Sequence, residues 1–182
     1  RSYNMSRIRS KDTSPEKIVR HYLYHEGFRY RLNVRKLPGT PDIVLRKWHT
    51  VIFVNGCFWH GHKGCKDFVI PKTNTDFWTA KIRRNAERDA ASTELLQAMG
   101  WHVITVWECE LKPDKRDATL TSLTAQLRDN RQSWLVEKEI RRVRRKQNAL
   151  RQQQARDRYD SLIAEICLEI PESVVRESLK EE

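Results

Sequence analysis

The sequence has no uninterrupted run of about 18 apolar residues, which excludes a bilayer-spanning helix. No basic-then-apolar leader pattern follows Arg1, so no secretory signal is expected. Cysteine is scarce, four in 182 residues. Two of the four, Cys57 and Cys65, share one short loop with histidines, which favours metal ligation over disulfides. Acidic residues are also in deficit, 24 against 35 Lys and Arg, giving a formal charge of +11 and a pI near 9.8. That excess points to a polyanionic partner, nucleic acid before membrane. A solvated basic surface is the plainer alternative. A hydrophobic fraction of 38% supplies one modest core, so one domain with room for an appendage is expected.

The most informative stretch is 51–68. Val51, Ile52, Phe53 and Val54 form a short apolar run with strand character. Asn55-Gly56 breaks it. Cys57, His62 and Cys65 then fall close enough to bind one tetrahedral ion. His60 lies among them and can do acid–base work. Phe58 and Trp59 are large apolar groups on what should be an exposed turn.

Residues 1–12 are basic with spaced apolar groups and read either as a frayed terminus or as an arm along phosphates. Ser14, Pro15 and Glu16 signal a helix start, with Ser14 as cap and Glu16 favouring the N-terminus. Glu16 has a rival role beside a catalytic cation. Val19, Tyr22 and Leu23 give the apolar stripe, and Gly27 stops it. A strand is expected over 28–32. Leu37 to Thr40 form a turn that, with Pro41, delivers Asp42 to the mouth of the apolar strand 43–45. A second strand follows the turn at 46–50, an order that resembles the opening of the PD-(D/E)xK nuclease core.

The pattern turns helical from Thr75 to Met99, with Asp76 as cap, Trp78 near the start and Lys81 and Asn85 on the polar surface. Trp78 is either core or a wedge beside a basic face. Residues 101–107 alternate as a strand, and Cys109 follows. Strand pairing would bring Cys109 beside Cys57, His62 and Cys65, completing a Cys3His structural zinc set. Two further helices are expected, 117–130 and 137–159. The second is strongly basic, with Ile140, Val143, Gln147 and Leu150 as a narrow seam. It reads as a helix that tracks phosphates, a hairpin, a self-association element or a solvated helix. Cys167 reads as a core thiol. The domain division expected is an arm at 1–12, a nuclease domain at 13–130 and a basic helical extension at 131–182.

With these residues in place, the chain from Asn4 to Leu111 resembles the very short patch repair (Vsr) family of DNA mismatch endonucleases. The matching blocks are 4–13, Leu37 to Asp42, Val51 to His62, Phe77-Trp78 with Lys81, Asn85 and Arg88-Asp89, and Val106 to Leu111. They occur in family order over about 60% of the chain, and Gly56-Cys57-Phe58-Trp59-His60 is very specific. Val54 and Asn55 stand where some members of the family have a hydroxyl or histidine pair.

The resemblance implies an α/β, restriction-endonuclease-like core with a structural zinc. Asp42 would bind magnesium, His60 would be the general base, and Glu16 the supporting acid. Cys57, His62, Cys65 and Cys109 would hold zinc. Phe58, Trp59 and Trp78 would enter the duplex from the major-groove side. Met5 and Ile8 would press from the minor groove, and Lys81 and Asn85 would read the wobble pair. The implied reaction is a single nick 5′ to the thymine of a T:G mismatch left by deamination of 5-methylcytosine. A bacterial cytoplasmic location and no membrane contact follow. The implied partners are mismatched duplex DNA, a cytosine-5 methyltransferase system and downstream repair proteins. Three alternatives remain: a Vsr-like nuclease of a restriction–modification system with another sequence context, a non-catalytic mismatch-binding module, and a zinc-stabilised DNA-binding protein. A binding module would not need both Asp42 and His60, and both are present.

Overall fold

The computed structural model describes residues 11–169, with side chains through Ile166. Met5, Ile8 and the side chain of Cys167 lie outside the described residues. Contacts divide the chain into two units, Arg1–Trp134 and Leu135–Glu182.

The first unit opens with helix α1, Ser14–His25. Its cap is Thr13, one residue before the expected Ser14. With Thr13 as cap, Glu16 occupies the third helical position. Its carboxylate accepts from the Thr13 hydroxyl at 2.9 Å, and the side chain reaches back to the cap backbone. A cap at Ser14 would have forfeited this reciprocal box. Val19 and Leu23 are fully buried on the inner face of α1.

Four strands follow in the spatial order β1 (Arg31–Leu32), β2 (Ile43–Leu45), β3 (Thr50–Asn55) and β4 (His102–Trp107). The first three form an antiparallel meander. The expected strand over 28–32 shrinks to its last two residues. Phe28 is instead buried in the core, its ring 4.6 Å from that of Trp48. Strands β3 and β4 pair in parallel through six residues, from Thr50 opposite His102 to Asn55 opposite Trp107. A parallel pair needs a long crossover, and that crossover carries helix α2, Thr75–Ala98. The cap of α2 is Asn74 in a left-handed conformation, without a side-chain bond. Asp76, expected as the cap, sits in the first turn, where its charge still favours the helix N-terminus.

Residues of β2 and β3 alternate between the faces of a sheet covered on both sides. Ile43, Leu45 and Ile52 meet Val19 and Leu23 of α1. Val44 and Val51 meet Leu96 of α2. The first core is completed by Leu120, Leu123 and Leu127, from the start of helix α3, Arg116–Glu169. This helix is continuous where two were expected, because residues 131–136 contain no glycine or proline to end the first. Asn130 Nδ2 donates to Thr50 Oγ1 at 3.3 Å, and Trp134 stacks on His49 at 5.1 Å. These contacts hold α3 within the first unit as far as Trp134.

In the second unit every residue from 135 to 166 is exposed. No helix among the described residues is long and apolar enough to cross a membrane.

The two stretches of α3 should therefore respond differently to truncation. Leu127→Ala should cost about 2–5 kcal/mol in urea unfolding. Leu150→Ala, at a position 59% exposed, should stay within about 0.5 kcal/mol.

Candidate active site

The C-terminal half of β3 leaves the core and lines a cleft of about 830 Å³. Asp42, just ahead of β2, enters the same cleft from the neighbouring strand. Its Oδ2 accepts the Val54 N–H of β3 at 2.8 Å. Burial pushes the Asp42 carboxyl above its ordinary value, against the pull of that hydrogen bond, and the nearby Glu16 pushes it further. A hard divalent cation would offset this burden, so the donors fit one.

Glu16 is 3% exposed and also lines the cleft. Its carboxylate accepts the Asp12 N–H at 3.1 Å and is paired with Arg20, one helical turn on. Arg20 also holds Asp12 at 2.5 Å. Glu16 thus both completes the helix cap and lines the cleft. Arg20 went unassigned in the sequence, although an acid and a base four residues apart on a helix is a legible pairing signal.

His60 faces the cleft from the loop after β3. Its Nδ1 lies 2.5 Å from Asp89 Oδ2 on α2. A carboxylate at Nδ1 fixes the proton there and leaves Nε2 as the basic nitrogen. Asp89 belongs to one of the matching blocks, yet its role needs the fold, since 29 residues separate the pair. Lys11, Lys81 and Arg88 bring positive charge to the same cleft, and Glu108 adds another acid.

Beside the cleft the aromatic groups cluster. Phe58, Trp59 and Trp78 pack edge to face, with ring centroids 5.2 to 6.0 Å apart. All three are half-buried, and Phe77 beside them is 53% exposed. Lys81 Nζ lies over the rings of Trp59 at 5.4 Å and Trp78 at 5.7 Å. Asn85 donates to the Trp59 carbonyl at 2.9 Å. Lys81 and Asn85 therefore stand one turn apart on α2, in contact with the aromatic cluster.

Cys57, His62, Cys65 and Cys109 form a second cluster, with one donor atom from each within 4.8 Å of the others. His62 Nδ1 is 3.5 Å from both Cys57 Sγ and Cys109 Sγ. Tetrahedral zinc with bonds of about 2.0–2.3 Å places such donors about 3.5 Å apart, so the set fits that ion. The β3–β4 register creates it. Asn55 opposes Trp107, and the next residue but one in each strand's extension, Cys57 or Cys109, belongs to the cluster. The His62 ring stacks on Trp107 at 4.0 Å, which fixes its orientation. Burial pushes the Cys57 thiol up to about 12, whereas the Asp67 N–H lowers that of Cys65. Gly61, with φ of +65°, lets the loop approach α2 so closely that a Cβ would lie 2.9 Å from Ile82.

Comparison with known proteins agrees with this geometry. A family model described as DNA mismatch endonuclease Vsr matches residues 1–67. The type II nicking enzyme V.NmeAIP of Neisseria meningitidis is 54% identical over 112 residues, 62% of this chain and 79% of that protein. The type II nicking enzyme V.XorIIP of Xanthomonas oryzae pv. oryzae is 47% identical over 129 residues, 71% and 90% of the two chains. The DNA mismatch endonuclease Vsr of Escherichia coli is 42% identical over 129 residues, 71% and 81% of the two chains. With relatives 47% and 42% identical over 71% of its length, the chain belongs to the Vsr family of DNA mismatch endonucleases.

Proposed function

We propose that the chain nicks one DNA strand 5′ to the thymine of a T:G mismatch, with magnesium at Asp42 and zinc in the Cys3His cluster. The observation that carries this reading is the convergence of Asp42, Glu16 and the His60–Asp89 pair in one cleft beside an aromatic wedge. The sheet, flanked by helices and with Asp42 at a strand mouth, is read as a restriction-endonuclease-like core.

The chain's own residues account for recognition and proton transfer. Phe58, Trp59 and Trp78 form a packed edge able to open a base step. A T:G wobble is already poorly paired and stacked, so opening it costs less than opening a matched step. The wedge thereby selects damage. Lys81 and Asn85, against the same rings, are positioned to read the opened pair. The arm at residues 1–12, with Met5 and Ile8, belongs to the same proposal from the opposite groove. Arg88 and Lys11 offset phosphate charge in the cleft. His60, oriented by Asp89, takes a proton from the attacking water. Magnesium, when bound, would supply charge neutralisation on the scissile phosphate and acidify that water. Asp42 would hold it, and Arg20 keeps Glu16 fixed nearby. A methylation-linked repair role, with a cytosine-5 methyltransferase and downstream repair proteins as partners in the bacterial cytoplasm, follows from this substrate.

A second reading differs only in sequence context. The relatives at 54% and 47% identity are named type II nicking enzymes, which favours a companion role to a restriction–modification system.

The direct test is an end-labelled duplex with one T:G pair, incubated with protein and magnesium against a matched duplex and an EDTA control. One nick just 5′ to the thymine, absent from both controls, is expected. Binding without a nick across a panel of flanking sequences would favour a binding module. Asp42→Asn should abolish nicking and retain mismatch binding. Because burial disfavours the Asp42 anion, removing the charge should leave the metal-free melting temperature unchanged or higher. A lower value would contradict this account of the carboxylate. Elemental analysis should find about one zinc per chain. Cys109→Ser should lower that content and the melting temperature together; a metal-free wild-type protein of full stability would rule out the structural zinc.

A further inference from the structure

The second unit contributes no residue to the cleft, the aromatic cluster or the Cys3His cluster, and none of these accounts for it. Between residues 138 and 158 the helix carries nine Lys and Arg against only Glu139 and Asp157. From Asp160 onward the balance reverses, with seven acids against Arg176 and Lys180. The basic block is therefore local and is not a property of the whole unit. Every residue in it is exposed, so no burial offsets the ordering of this stretch, although most helices depend on such packing. Its charges also repel one another. Lys138 and Arg142, Arg141 and Arg145, and Arg142 and Lys146 are like-charged neighbours one turn apart, an arrangement that destabilises an isolated helix. Arg141 and Arg142 are offset by Glu137 and Glu139. Among the described residues, Arg144, Arg145, Lys146, Arg151, Arg156 and Arg158 have no carboxylate within ion-pair distance.

We infer that residues 138–158 form a second, sequence-independent DNA-binding surface that neutralises phosphates of the duplex substrate. The inference rests on the DNA-nicking reading for the identity of the polyanion. Charge complementarity selects the occupant. Duplex DNA carries one negative charge per about 1.7 Å of axis, while this helix presents its nine cations over about 30 Å. A second copy of the chain fits less well. The apolar seam Val136, Ile140, Val143 and Leu150 already contains Gln147, and its continuation is Gln154, Asp157 and Ser161. That is well short of the three or four heptads a coiled coil sustains. Lys146 and Arg151, which flank the seam and face each other across a parallel pair, would repel.

The test is the salt dependence of full-length protein binding to a matched 40-base-pair duplex, which needs no nicking. Each neutralised phosphate steepens the slope of log K against log salt by about 0.9. The Arg144→Gln/Arg145→Gln/Arg151→Gln/Arg158→Gln variant should lower the slope by about 2–4. The corresponding four-lysine variant should keep it, and both should retain the wild-type preference for mismatched over matched DNA. Hydrogen exchange on the wild-type chain should show protection of 138–158 on adding duplex. That readout decides the matter if the glutamine variant loses helicity. An unchanged slope, or no protection, would overturn the inference, as would wild-type dimerisation through this helix that persists on DNA. Failure to nick T:G duplex alongside the expected slope change would sink the catalytic reading and leave this one standing.

Discussion

The parallel pairing of β3 with β4 is the constraint on which the rest of the first unit depends. Six residue pairs in register bring together segments about 50 residues apart in sequence. Because the strands run the same way, their C-terminal ends emerge side by side. Cys57 and Cys109 thus become neighbours, and the cleft opens at that same edge. The crossover must return along one face of the sheet, which obliges α2 to cover it. A helix so placed presents Lys81, Asn85 and Asp89 in one row at four-residue spacing. Each meets part of the loop after β3: the Trp59 ring, the Trp59 carbonyl and His60. One pairing therefore sets the Cys3His cluster, the aromatic cluster and the oriented histidine.

Electrostatics explain why the cleft is so heavily cross-braced. It gathers Glu16, Asp42, Asp89 and Glu108 in a partly buried space, and like charges there oppose one another. Glu16 is stabilised by Arg20 and by the N-terminus of α1, while Asp89 has His60. Asp42 accepts a backbone N–H and lies near Arg20 and His60, yet burial still pushes its carboxyl upward. A buried carboxylate whose charge the protein leaves incompletely offset is suited to a cation from solution. Positive groups at the rim and a net charge of +11 act over longer range, drawing a polyanion towards a site whose floor is acidic.

Much of this was legible in the sequence because the signals were local or chemically unusual. Two cysteines and a histidine in one loop announced a cluster able to hold a metal, and the break after Val54 placed it at a strand end. A Pro/Gly turn ahead of an apolar run announced Asp42. What escaped was either non-local or a matter of one residue's register. Nothing in residue spacing connects His60 with Asp89, which meet only after α2 folds back over the sheet. The cap of α1 fell on Thr13 because a reciprocal bond to Glu16 outweighs a serine one place later. The break expected near 131–136 in α3 failed because no glycine or proline there stops a helix. Phe28 left the expected strand because burial against Trp48 outweighed its strand propensity.

The departures at Val54 and Asn55 follow from the same geometry. At Val54 the contact to Asp42 is made by the main-chain N–H, which any residue except proline supplies. The side chain there can vary without moving the carboxylate. Asn55 lines the cleft, where its amide can donate and accept hydrogen bonds but cannot take up a proton at neutral pH. In the proposed reaction, proton transfer then falls to His60 alone, and His60 is the group whose orientation Asp89 secures. A site with one base has more need of a fixed one, which is how the short His60–Asp89 contact and the change at Asn55 belong together.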